Sequence, residues 1–454
     1  VRLRPLCGQI RTDKIRWSGQ KDVLTILKKM EIMKMNTLIL GLSFFISACQ
    51  KESIPTPPPP PPVTPSLKVV WQYPLSPDTT DVFGAAWHIW QGNLIYTTNF
   101  TVPEAQIHCR DAATGELRWK REDLYHAGWT DRQIVSIADK TIASTGPRVF
   151  CIDNHTGEYV WKTDVRQLSG SNAGGWPRIY KVGEFVYHAQ HTGPPPYMNT
   201  LSLVRAHHST GQWDTLFTLP HDNKYYPGLS SVSLWLNPQG DSILMVPVTM
   251  LGDLAIYGAN QGRADLHAFN LRPRQMEWSL KDFDTFRSEC PIYPPVISDN
   301  RLYINCSKAL YCIDLLGGTV VWSRDFPSAW GSDIRYNSLK EYGNTILLVS
   351  DHTNIAMAIS KTDGSTVWEN KEVGSSADEL TLFEGILYYT SRATGRLYAI
   401  DAATGKTIWN MGSPNRTSKI PASFGFQNLC IDPASRRMFV TDKYFILCVE
   451  LPEQ

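Results

Sequence analysis

Beyond residue 66 the chain is written in short alternating runs broken by turn residues, and one run sets the pattern for the rest. In Leu397-Tyr398-Ala399-Ile400-Asp401-Ala402-Ala403-Thr404-Gly405-Lys406-Thr407-Ile408-Trp409 the period is two. Leu397, Ala399 and Asp401 face one way, and Tyr398 and Ile400 the other. Asp401 is placed to bond back to turn amides, and Gly405 supplies the positive φ that such a loop needs. The predicted element is a β-hairpin ending in a tryptophan, the largest apolar surface available to pack on a neighbour. One hairpin alone is marginal in water.

The same hairpin recurs along the chain. It ends at Trp119 after Asp111 and Gly115, at Trp161 after Asp153 and Gly157, at Trp322 after Asp314 and Gly318, and at Trp368 after Asp363 and Gly364. Glycine precedes tryptophan by four residues each time, so the strand after the turn has a fixed register. Two copies are worn. The one ending at Trp278 has Arg274 where glycine is expected, and the one over Leu203 to Phe217 carries its tryptophan, Trp213, two residues early. Upstream of the hairpins lie further strands after turn signals, such as Asn300-Arg301-Leu302-Tyr303-Ile304 and Gly385-Ile386-Leu387-Tyr388-Tyr389. Four strands per unit at such a period predict an all-β chain folded as a β-propeller. Seven outer strands end at Trp119, Trp161, Phe217, Trp278, Trp322, Trp368 and Trp409. The eighth comes from the far end, Leu67 to Trp71, which closes the ring and removes exposed sheet edges. Residues 67–454 are therefore expected to form eight blades.

These residues carry a resemblance. The hairpin is similar to the tryptophan-docking repeat of the PQQ-binding-like (quinoprotein alcohol dehydrogenase-like) propeller family, close to Leu-Tyr-Ala-Leu-Asp-Ala-x-Thr-Gly-x-x-x-Trp. The family includes PQQ-dependent dehydrogenases, which use adjacent cysteines, a catalytic aspartate and an acidic Ca²⁺ ligand set. No two cysteines are adjacent here, and no acid cluster falls on a matching motif. The resemblance thus implies docking roles for Trp71, Trp119, Trp161, Trp278, Trp322, Trp368 and Trp409 and for Gly115, Gly157, Gly318, Gly364 and Gly405. It implies no catalytic residue, no cofactor and no metal.

The first 66 residues change the picture of location. Residues 1–32 show no sustained period and read as an over-extended leader. Residues 33–48 have Lys34, an apolar run from Thr37 to Ile46, and Ser47-Ala48 before Cys49. That run is too short to span a bilayer, and small residues before a cysteine resemble the bacterial lipobox. A lipid anchor on Cys49 is expected, with a plain secretory signal as the alternative. Residues 49–66 include six consecutive prolines, Pro57 to Pro62, which favour extended polyproline II and make a stiff tether. The mature second position lacks the aspartate associated with inner-membrane retention, so an outer-membrane lipoprotein is expected, with the leaflet open. Lipobox, linker and eight blades together are similar in plan to the lipoprotein of the outer-membrane β-barrel assembly machinery.

Charge and cysteines narrow the rest. Nine of the 44 Lys/Arg but three of the 43 Asp/Glu fall in the first 48 residues, so the remainder is net −5. A mildly acidic body with no basic run predicts no nucleic-acid partner. Cys109, Cys151 and Cys312 stand two residues before the turn aspartate, as small apolar fillers. Whether Cys306 and Cys312 pair is open. His207 and His208 adjoin a turn and point to opposite faces if in a strand, which suits a metal poorly.

One series remains outside the repeat. Trp87, Trp129, Trp176 and Trp330, with Trp235 as a weaker member, follow small residues where the chain returns toward the next inner strand. One reading is inter-blade packing. The other is an aromatic collar that stacks on a sugar, a peptide or a barrel-protein segment. The expected function is a non-enzymatic, membrane-anchored scaffold for a protein partner in the cell envelope. A surface glycan- or peptide-binding lipoprotein and a PQQ-dependent dehydrogenase are the alternatives.

Overall fold

The structure is a computed structural model. It describes residues 67–452 apart from 76–86, 99–103, 126–133, 146–147, 165–178, 193–199, 221–224, 230, 253–260, 287–292, 307–308, 327–337, 351–352, 377–378 and 426–428. The segments read as leader, signal and tether lie outside these residues. Within them there is no helix, and strands alone build eight separate antiparallel sheets, the blades of a propeller. Blades one to seven span residues 87–125, 134–164, 179–220, 225–286, 296–325, 340–370 and 381–412, each made of strands consecutive in the chain. In the fourth blade the inner position is split between Tyr225–Leu229 and Ser233–Leu236, which both pair with Ser242–Gly252.

The eighth blade is closed from both ends of the body. Its inner strands are Cys430–Asp432, Arg437–Thr441 and Phe445–Glu450, and Lys68–Pro74 pairs antiparallel with the last of these, Trp71 opposite Cys448. The expected closure is what the ring adopts.

Alternation sends each strand's two faces into different inter-blade cores. Leu397 and Ala399 pack with Met438, Leu447 and Val449 of the eighth blade, while Tyr398 and Ile400 pack with Leu347 and Ala358 of the sixth. The sheets are apolar on both sides because each is covered twice.

A regularity not visible in the repeat's spacing appears in the register. In every blade the residue just before the docking position is skipped by the ladder. Cys151 pairs Trp161 and Ile152 pairs Tyr159, which leaves Val160 as a bulge, and the same slip recurs in the other seven outer strands. The bulged side chains Val160, Val321, Val367 and Ile408 are exposed. A bulge bends and twists its strand, which re-aims the next side chain and blunts an edge that would otherwise invite pairing.

Cys306 and Cys312 form no disulfide with each other, and both are buried, as are Cys109, Cys151 and Cys448. Their strand positions explain this: Cys306 lies opposite Ala309 and Cys312 opposite Tyr303, on different rungs of one hairpin. Burial pushes the Cys109, Cys151 and Cys448 thiols up to about 12, so they are inert fillers.

Candidate functional site

The repeated residues meet at the joints between blades. Six of the seven docking tryptophans, all but Trp409, lay their rings on the turn glycine of the following blade: Trp71 on Gly115, Trp119 on Gly157, Trp161 on Gly211, Trp278 on Gly318, Trp322 on Gly364 and Trp368 on Gly405. A Cβ at any of these glycines would come within 3.0 Å of the ring, and all six have positive φ. The indole Nε1 then donates to the carbonyl after the turn aspartate or its substitute: Ala112, Asn154, His208, Leu315, Lys361 and Ala402, at 2.7–3.1 Å. Two residues past the tryptophan, a second side chain reaches the same turn. Arg324 donates to Gly364 O at 2.8 Å and Asn370 to Gly405 O at 2.6 Å. The turn is held from within by its aspartate, as where Asp401 Oδ1 accepts from Thr404 N and Oγ1, both at 2.7 Å.

The two worn repeats turn out to be one altered joint. The third blade lacks a tryptophan at the docking register, where Phe217 sits opposite Leu203, and the fourth blade lacks the glycine it would have met. Arg274 occupies that glycine's place at φ 57°, and its Cβ would exclude an indole. Phe217 instead packs on Phe269 at 5.2 Å, and Arg274 reaches back to Asp214 Oδ2 at 2.8 Å and Thr215 O at 3.2 Å. An aromatic pair and an ion pair replace a ring-on-glycine contact. Trp213 points elsewhere, meeting Trp161 edge-on at 6.3 Å.

Of the second tryptophan series, Trp129, Trp176 and Trp330 lie outside the described residues. Trp87 is half-buried, 6.2 Å from the ring of Tyr96. Trp235 departs from the collar reading. It is 7% exposed, packs in the core between the fourth and fifth blades, and donates Nε1 to Asn300 Oδ1 at 3.1 Å. Its ring faces are covered, so it offers no stacking surface.

The histidine pair also departs from expectation. The strand Thr200–His207 ends at His207, and His208 begins the turn, so alternation stops between them. The two rings stack at 5.0 Å, and Glu184 Oε2 lies 2.7 Å from His208 Nε2. Signals for this were present in the turn-forming Ser209-Thr210-Gly211 that follows, which places the end of the strand. An open polar cleft of about 670 Å³ between the sixth and seventh blades, lined by Glu369, Asn370, Lys371, Glu372, Thr404 and Lys406, had no sequence signal of its own.

Three other histidines, His108 and His267 buried and His88 half-buried, are held as neutral groups. His88 Nε2 donates to Thr141 Oγ1 at 3.1 Å, because that hydroxyl's proton goes to Asn154 Oδ1 at 2.6 Å. His108 stacks on Tyr96 at 4.9 Å, and His267 Nδ1 lies 2.8 Å from Ser279 Oγ. Burial first, then nearby cations, lowers them to about 4, 3 and 4. A folded pKa below the unfolded value means that the unfolded chain binds more protons between pH 6.5 and about 4. Stability is therefore complete above pH 6.5 and lost as pH falls through that window, by up to about 1.4 kcal/mol per pH unit for each histidine. Denaturant midpoints from pH 7 to pH 5 are expected to fall and to fall less in His108→Gln; midpoints level across that range would refute the assignment.

Ring-on-glycine joints around seven four-stranded sheets and one five-stranded sheet define a PQQ-like propeller. The chain belongs to the family whose model is described as outer membrane protein assembly factor BamB, which matches residues 103–180 and 262–425, more than half of its length. The unmatched stretch between them covers most of the third blade and the start of the fourth, the two blades that share the altered joint. A relative described as outer membrane protein assembly factor BamB, from Shewanella oneidensis, is 25% identical over 123 residues, which cover 25% of this chain and 29% of that protein. The fold is similar to that of BamB from Moraxella catarrhalis, with TM-score 0.53 and 12% identity over 86% of this chain and 99% of that one. It is also similar to a quinohemoprotein alcohol dehydrogenase from Comamonas testosteroni, with TM-score 0.59 and 12% identity over 86% and 78%. At these identities the two structures speak for the fold alone.

Proposed function

We propose that the protein is a non-enzymatic interaction scaffold of the bacterial outer membrane, held there by lipid on Cys49, that serves in the assembly of outer-membrane proteins. The observation that carries this reading is the family match, which runs through the blades whose glycines, aspartates and tryptophans are engaged in joints. Residues used in that way are not available for chemistry, and the thiols among them are buried and inert. Recognition then belongs to the loops and edges that do not repeat.

The test is a crosslinked pull-down from solubilised membranes of cells expressing the full chain. Recovery of β-barrel assembly subunits is expected, and Cys49→Ala should move the protein out of the membrane fraction. Absence of those subunits, with retention on a glycan array, would favour a surface glycan-binding lipoprotein in which half-buried Trp87 contributes a stacking face. The likeness to a quinohemoprotein dehydrogenase makes a third reading specific enough to test. Titrating PQQ with Ca²⁺ should give no saturable spectral change, and a tight stoichiometric one would overturn the non-enzymatic reading.

A further inference from the structure

We propose that Glu184, His207 and His208 form a binding site for a divalent transition metal of the zinc class at the joint between the second and third blades. One ligand atom from each residue lies within 4.8 Å of the others. The site is assembled by two turns of the third blade. His208 N donates to Glu184 O at 3.1 Å, which draws the turn after Ile179–Val182 against the end of Thr200–His207. Two stacked imidazoles, their planes 27° apart, then share one side with a carboxylate.

This donor set is the one that zinc takes at 2.0–2.2 Å, two histidines and a glutamate, with one position left for water or a partner's side chain. A plain histidine–glutamate hydrogen bond accounts for His208 and Glu184 alone. It does not account for His208 Nδ1, which is buried without a hydrogen-bond partner on a residue 8% exposed. The ligands are also held before any ion arrives. The carbonyl of His208 accepts from Trp161 Nε1 at 2.7 Å and from the Cys151 thiol at 3.4 Å, so the docking joint fixes its backbone. Ser209 N donates to His207 Nδ1 at 3.3 Å and Ser209 Oγ lies 2.8 Å from the same atom, so the turn orients this ring; an ion on Nε2 would shift the ring proton to Nδ1, where Ser209 Oγ would accept it. Glu184 is exposed, so the ion has a path in.

The test uses the full chain without a polyhistidine tag, stripped with a chelator and titrated with Zn²⁺ by calorimetry and with Co²⁺ by visible absorption. One equivalent is expected to bind saturably, with Co²⁺ bands typical of four or five ligands that include nitrogen. Glu184→Gln and His207→Ala, both at residues with solvent access, should each weaken binding by about tenfold or more, and Ser209→Ala by about tenfold. Circular dichroism of each variant separates loss of the site from loss of the fold, and Glu184→Gln keeps the test valid if His207→Ala folds poorly. Absence of saturable binding by the wild type, or affinity unchanged in folded Glu184→Gln, would overturn the proposal.

Discussion

Trp368→Ala is expected to destabilise the propeller by about 3–5 kcal/mol, at least about a fifth of what a typical domain has to lose. Three effects act together. The ring leaves a cavity over Gly405, the Ala402 carbonyl loses its donor, and the sixth and seventh blades lose a contact between them. Trp368→Phe keeps much of the ring and should cost less, the difference reporting the hydrogen bond at about 1 kcal/mol. Gly405→Ala approaches the same joint from the other side. A Cβ there would lie 2.5 Å from Trp368 Cδ2, and the backbone holds φ at 74°, a region that costs other residues about 1–3 kcal/mol. In the double variant the collision disappears with the ring and only the φ cost remains. Denaturant unfolding of the four proteins should therefore show a coupling of at least about 1 kcal/mol. Additive losses would mean that the ring does not rest on the glycine.

The altered joint between the third and fourth blades shows the same logic from the other direction. A tryptophan without a glycine, or a glycine without a tryptophan, is a cavity or a clash. Losing both at one joint is tolerable, and the pairs Phe217–Phe269 and Arg274–Asp214 fill the place. The sequence displays these as two unrelated defects because the partners are 52 and 60 residues apart, and spacing within one repeat says nothing about the next. The repeat was legible for the opposite reason. Asp401, Gly405 and Trp409 act within one hairpin, and their offsets are fixed by the turn, so eight blades and the role of Trp71 could be counted. The bulge before each tryptophan is buried in that same offset and shows only in the register. Among candidate site residues, legibility failed wherever it depended on where a strand stops. His207 and His208 diverge in a continuous strand and converge at its end. Trp235 follows a break in the fourth blade's inner strand, so its place after small residues resembled the others while its ring went into the core.

Closure of the ring should be the most fragile step in the fold, because the eighth blade is the one whose outer strand is not joined to it by a turn. Trp409 makes this concrete. The other intact joints set a ring on a turn glycine, but Trp409 packs in a cluster with Leu67 and Leu451, which stand at the ends of the two strands that close the sheet. Removing residues 1–63 takes away only segments read as leader, signal and tether, and the unfolding midpoint of Thr64–Gln454 is expected to stay unchanged. Removing residues 1–74 deletes the strand Lys68–Pro74 as well. That cut strips Phe445–Glu450 of its outer partner, uncovers Cys448 and Val449, opens the pocket around Trp409, and takes Trp71 from Gly115. The tryptophan alone is worth about 3–5 kcal/mol by the argument above, and an unpaired apolar edge invites association with other chains. The summed loss approaches the whole stability of a typical domain, so the shorter protein should aggregate or unfold without a cooperative transition, as read by size-exclusion chromatography and denaturant titration. A monomeric, cooperatively folding product from that second cut would show that the ring holds without its closing strand, and that the seven continuous blades are a domain in themselves.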